Sequence, residues 1–212
     1  MQGLSADLLL ILPVLLVSLV LHELAHGLVA DALGDPTPRA MGRLTLNPLP
    51  HLDLFGTVML VITTLAPGGF LFGWAKPVPV DPRHFRSPQR GMMIVGAAGP
   101  LTNFAIAVGA AQLLRFAGDV HGLFFEVFWD LYVLNLFLGF LNLLPIPPLD
   151  GSRVIGGLLP ARLYPAWVSL DRFGNLLFLV LFVILVSNPT ALTNVFYPLF
   201  RGVSQVLLPG WV

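Results

Sequence analysis

The sequence predicts an all-α polytopic membrane protein of about four to six transmembrane helices, with a small membrane-associated β-strand or hairpin region and a re-entrant segment. Three observations predict it. Of 212 residues, 56% are hydrophobic and only 10% are charged, where a soluble domain carries about 25% charged residues. The mean hydropathy is +0.85. Several apolar runs approach the ~20 residues that a helix needs to cross a bilayer. Lys and Arg balance Asp and Glu at eleven each, so no basic surface points to nucleic acid. The absence of cysteine excludes disulfides, thiolate nucleophiles and thiolate metal sites.

The elements follow in order. Residues 8–32 form the first apolar run; its flank carries Asp7 and no basic stretch, so it reads as a retained helix rather than a cleaved leader. It stops at Gly34-Asp35-Pro36. From Gly42 to Asn47 polar and apolar residues alternate, which predicts a short strand closed by Pro48 and Pro50. Residues 54–75 are apolar but short and broken by Pro67-Gly68-Gly69, and are expected to dip into the membrane and return. Pro77 and Pro79 favour extended chain. Residues 81–90 are the most polar stretch. Residues 92–114 and 124–144 are the second and third clear spans, 176–186 lies in a fourth, and 191–208 crosses or lies at the surface. The chain reads as one integral-membrane domain over residues 1–212, with a catalytic core over about 5–153 and C-terminal helices over about 168–209.

Charge orients these spans. Six basic residues, among them Arg39, Arg43 and Lys76, fall between the first and second spans, and Arg153, Arg162 and Arg172 fall between the third and fourth. With 54–75 re-entrant, all nine lie on one side, which the positive-inside rule makes cytoplasmic. This predicts a multi-pass cell-membrane protein.

The chemistry lies in His22-Glu23-Leu24-Ala25-His26, inside the first span. Histidines at i and i+4 share a helix face and converge on one point. Zinc takes such imidazoles at about 2.0–2.1 Å, and the intervening glutamate can serve a zinc-bound water as general base. Three ionisable residues within five positions of a Leu/Val run are costly, about 2.5–3.5 kcal/mol for a charge at mid-helix on insertion scales. They need a partner. A capping role at the interface is the bland alternative.

A catalytic zinc usually has three protein ligands. The other histidines are His51, His84 and His121, and the membrane-facing acids include Asp53, Asp130 and Asp150. Asp150 is the best third ligand: it follows Pro145, Pro147 and Pro148, which unwind the end of an apolar helix, and Gly151 permits a sharp turn. The third clear span returns the chain to the side on which the His22–His26 end of the first lies, so one zinc per chain can bridge both.

Taken together, His22–His26, Gly42-Arg43-Leu44-Thr45-Leu46-Asn47-Pro48, Gly99-Pro100-Leu101-Thr102-Asn103 and Asn142 through Leu149-Asp150-Gly151 resemble the site-2 protease family of intramembrane zinc metalloproteases, over about 8–153. The chain is similar to a minimal member without PDZ-like or CBS-like domains. The resemblance implies His22, His26 and Asp150 as zinc ligands, Glu23 as catalytic base and Asn142 on the substrate backbone near the scissile bond. It implies a substrate that is a membrane protein with a transmembrane helix, met in the lipid bilayer; the basic residues place the active site toward the cytoplasmic side, and the balanced charge implies no nucleic acid. The strand edge carrying Gly42, Leu44 and Leu46 would take an unwound substrate by β-augmentation, or pair with a hairpin partner of its own. His51 and Asn103 are accessory candidates; the Pro-rich context favours a turn-stabilising role for His51, and Asn103 reads equally as interhelical glue. Gly96 to Gly99 read as structural packing residues. The competing functions are a membrane metal-ion transporter, which has no need of a general base, and a non-catalytic helix-binding scaffold.

Overall fold

The computed structural model describes residues 2–65, 73–117 and 121–209. Within them are helices α1 (Gln2–Ala32), α2 (Thr37–Ala40), α3 (Leu54–Leu65), α4 (Pro88–Ala117), α5 (Leu123–Asn142), α6 (Asp150–Leu158), α7 (Tyr164–Val168), α8 (Gly174–Ser187) and α9 (Pro189–Leu207). Among the described residues, four stretches are long and apolar enough to span a membrane: Leu10–Ala32, Pro88–Ala117, Leu123–Asn142 and Tyr164–Ile184. This is the low end of the expected four to six. The fourth begins at Tyr164 rather than 176, because α7 and a short 3₁₀ turn lead into α8.

Helix α4 is the centre, packed against α1, α5 and α6. Ala107, Ala110, Ala111 and Leu114 of α4 meet Tyr132 and Leu136 of α5, together with Leu208 beyond α9. Lipid is as apolar as leucine, so helices in a membrane associate through close van der Waals contact, which small residues allow. The Tyr132 hydroxyl inside this core is satisfied by Ser204 Oγ at 2.7 Å.

The strand expected over Gly42–Asn47 is not formed, and no strand occurs among the described residues. Short side chains capture the backbone locally instead. Asn47 N–H donates to Thr45 Oγ1 at 3.1 Å, and Leu49 N–H donates to Asn47 Oδ1 at 3.1 Å. Gly42 sits at φ +65°, a left-handed position that suits glycine. The alternation also fails in space: Arg43 is buried, whereas Leu46 is 66% exposed. The β-hairpin is therefore reduced to one isolated antiparallel bridge, Leu52 with Ala75.

Helix α3 has 12 residues, about 18 Å of rise, against a hydrocarbon core of about 30 Å. Residues 66–72, where its expected Pro-Gly-Gly break falls, lie outside the described residues, and a re-entrant passage is not established by what is described. The chain on either side is nonetheless side by side: Lys76 N–H donates to the His51 carbonyl at 2.8 Å beside the Leu52–Ala75 bridge.

The segment from Lys76 to Val80 then forms no helix or strand and is fastened at its far end. Asp35, fully buried just after α1, accepts from the Asp81 N–H at 2.7 Å and the Thr37 N–H at 3.0 Å, and pairs with His84 Nδ1 at 3.0 Å. Burial pushes the Asp35 carboxyl up, but the Thr37 hydroxyl and the two backbone donors outweigh it and hold it below the ordinary 3.8.

Candidate metal centre

Helix periodicity sets the first two side chains. His22 and His26 lie one turn apart on α1, with ring centroids 4.6 Å apart and planes at 83°. Their Nε2 atoms stand 3.0 Å from one another. Asp150, the first residue of α6, completes the group: its Oδ2 lies 3.1 Å from His22 Nε2 and 3.3 Å from His26 Nε2. A tight turn after α5 delivers it. A Cβ on Gly151 would come within 2.2 Å of the Leu143 carbonyl oxygen, so only glycine lets α6 start there. These three residues form a group able to hold a metal ion.

The donor set fits a cation on its own chemistry. His26 Nδ1 lies 2.7 Å from the Val95 carbonyl, which only accepts, so Nδ1 carries the ring proton and Nε2 is left with a lone pair. His22 Nδ1 is engaged by Asn103 Oδ1 at 2.6 Å in the same sense. Two imidazole lone pairs and a carboxylate oxygen therefore converge, and they repel unless a cation lies between them. Gly99 keeps the space open. A Cβ there would stand 2.4 Å from His26 Nε2 and 2.5 Å from His22 Nε2. The run Gly96–Gly99, read from sequence as packing alone, thus borders the site itself.

Glu23 sits between the histidines in sequence but on its own contact. Its Oε2 accepts the Val78 N–H at 2.8 Å. Pro77 and Pro79 have no N–H, so within that tripeptide Val78 is the sole donor. The strap Lys76–Val80 is held over α1 by Arg43, whose Nη2 donates to the Lys76 and Pro77 carbonyls. Sequence reading missed the contact of Val78 with Glu23 and the hold of Arg43 on the strap, because both form only through the tertiary fold; the Pro-Val-Pro triplet was the available signal.

The remaining expected residues scatter. Asn142 ends α5, half-buried, with Nδ2 donating to the Leu138 carbonyl at 3.0 Å, a contact within its own helix. Gly42, Leu44 and Leu46 share no strand edge, for the reason given above. His51 is not in the metal group; it is buried, with Nε2 on the Thr45 carbonyl at 3.0 Å, which is a turn-stabilising contact. It also lines an apolar groove between α1 and α3, with Leu12, Leu16, Leu19, Leu60 and Trp74.

Comparison with known proteins gives the family. The chain is 40% identical over 182 residues to YwhC of Bacillus subtilis, covering 80% of this chain and 78% of that protein. It is 32% identical over 200 residues to Rip2 of Mycolicibacterium smegmatis, covering 91% and 74%. Both relatives are assigned by name to the zinc metalloproteases. The profile of peptidase family M50 matches residues 119–187, a stretch that includes Asn142 and Asp150. The chain belongs to peptidase family M50, the site-2 proteases.

This M50 peptidase is also 27% identical over 148 residues to zinc metalloprotease MJ0392 of Methanocaldococcus jannaschii, of which the match covers 34%. No solved structure gives a match. The M50 protein is a metalloprotease, its cofactor is zinc, and the four apolar spans among its described residues make it an integral multi-pass protein of a lipid bilayer.

Proposed function

We propose that this metalloprotease is an intramembrane endopeptidase that hydrolyses peptide bonds in or near transmembrane segments of other membrane proteins. The observation that carries this is depth. His22 and His26 lie within the span Leu10–Ala32, about 9–15 Å from its C-terminal end at 1.5 Å per residue. Soluble chains do not reach that depth; a substrate that is itself in the bilayer does.

His22, His26 and Asp150 hold the zinc. Zinc supplies Lewis acidity there, polarising the scissile carbonyl and acidifying the attacking water. Glu23 is the general base. One of its oxygens is anchored by the Val78 N–H, which leaves the other to take a proton from water and return it to the leaving amine. The strap and Arg43 fix the carboxylate before substrate arrives, so the reaction need not first order it.

Substrate reaches the site along α1. Leu12, Leu16, Leu19 and Glu23 fall on one helical face, and the first three line the groove beneath α3 and Trp74. His51 faces this groove as the accessory residue, and Asn142 contacts the substrate backbone near Asp150. The short α3 dips into the membrane and returns, which is supported by its length and by the Leu52–Ala75 bridge. The catalytic end then faces the cytoplasm with the basic residues. Residues 1–212 act as one domain, with the chemistry within about 5–153.

The test is cleavage of a single-span membrane substrate by the purified protein in proteoliposomes. Glu23→Gln is expected to keep zinc and to lower the cleavage rate by about 10²–10⁴-fold. Cleavage at the wild-type rate would remove Glu23 from the mechanism.

A further inference from the structure

A chain of buried hydrogen bonds leads from the metal centre through three helices. His22 Nδ1 meets Asn103 Oδ1 at 2.6 Å. Asn103 Nδ2 donates to Asn135 Oδ1 at 2.8 Å. Asn135 Nδ2 donates to Ser18 Oγ at 2.8 Å and to the Leu131 carbonyl at 2.9 Å. The Ser18 hydroxyl donates to the Val14 carbonyl at 2.7 Å. Ser18, Asn103 and Asn135 are all fully buried.

The direction of every bond is dictated from the far end. A carbonyl only accepts, so the Asn135 atom on Leu131 must be the amide nitrogen. Ser18 spends its one proton on Val14 and must accept from Asn135, which gives the same orientation independently. Asn135 therefore turns its oxygen to Asn103. Asn103 must present its NH₂ to that oxygen, and so turns its own oxygen to His22. His22 then carries its ring proton on Nδ1 and keeps the Nε2 lone pair aimed at Asp150 and His26.

His26 needs no such relay, because a backbone carbonyl, that of Val95, holds its Nδ1 directly. His22 faces a side-chain amide instead, and an amide can flip. A flipped Asn103 would offer NH₂ to Nδ1 and favour the proton on Nε2, where the metal must bind.

We propose that Asn135 and Ser18 are positioning residues of the metal centre. Through Asn103 they fix the tautomer of His22, and the seating of α5 against α1 is thereby expressed as zinc affinity. This rests on His22 being a zinc ligand; full zinc affinity in His22→Ala would remove that premise and the inference with it.

The experiment is zinc affinity of the purified full chain by chelator competition. Asn135→Leu is expected to weaken zinc by about 10–100-fold, the usual effect of removing a group that orients a ligand. Asn103→Asp puts an acceptor on both atoms, so its orientation no longer matters. In that background Asn135→Leu is expected to leave zinc affinity unchanged or to tighten it, since it removes an oxygen facing the new carboxylate. Equal losses in both backgrounds would make Asn135 a packing residue and overturn the proposal.

Discussion

Helix α4 and the α7–α8 stretch are both apolar enough to cross a bilayer, yet they are built for opposite neighbours. Half of the α4 span is buried inside the protein, against 6% of the span Tyr164–Ile184. Helix α4 carries Gly96, Gly99, Asn103 and a run of alanines, and touches α1, α5 and α6. Helix α8 carries Leu, Phe, Val and Ile around its whole circumference, and Leu176, Leu179 and Val183 are more than half exposed. Hydropathy makes both into spans. Small and polar residues decide which of them builds a site, because without water a helix surface is recruited only by close packing or hydrogen bonding.

The largest effect belongs to α4. Gly99→Val should abolish zinc binding and cleavage, because even a Cβ would enter the space between the two Nε2 atoms. Zinc content by elemental analysis measures it; a normal content would mean that the site is not closed by α4. Next is the strap. Val78→Pro removes the N–H on Glu23, and Val78→Ala keeps it. A hydrogen bond to a charged group is worth about 1.5–3 kcal/mol, so Val78→Pro should lower kcat by about 10-fold or more at unchanged zinc content, with Val78→Ala near wild type. Equal effects of the two would assign Val78 to packing. The smallest effect belongs to α8, where Leu176→Ala should alter thermal stability by within about 0.5 kcal/mol, as expected of an exposed position. A large loss would show that α8 has an inward partner after all.

How much of this was legible in the sequence depends on the range of the interaction. The His22–His26 pair is a local fact of helix periodicity, and it was readable. Asp150 was readable because the prolines before it and Gly151 after it mark an unwound end pointing back to the same side. The alternation of Gly42–Asn47 misled, because period 2 describes a strand only where the backbone bonds to another strand. Here Thr45 and Asn47 take those backbone donors themselves. The contact of Val78 with Glu23 was invisible, since 55 residues separate them and nothing local requires them to meet. Asn103 was recognised as polar at membrane depth, but its partner His22 lies 81 residues away.

The proposed metal centre has one zinc held between the first span and α6 by His22, His26 and Asp150. Zinc per chain, measured by elemental analysis on purified wild type and on Asp150→Ala, tests it most directly. The account predicts about one zinc per chain in wild type and little or none in the variant. A full complement of zinc in Asp150→Ala would contradict it.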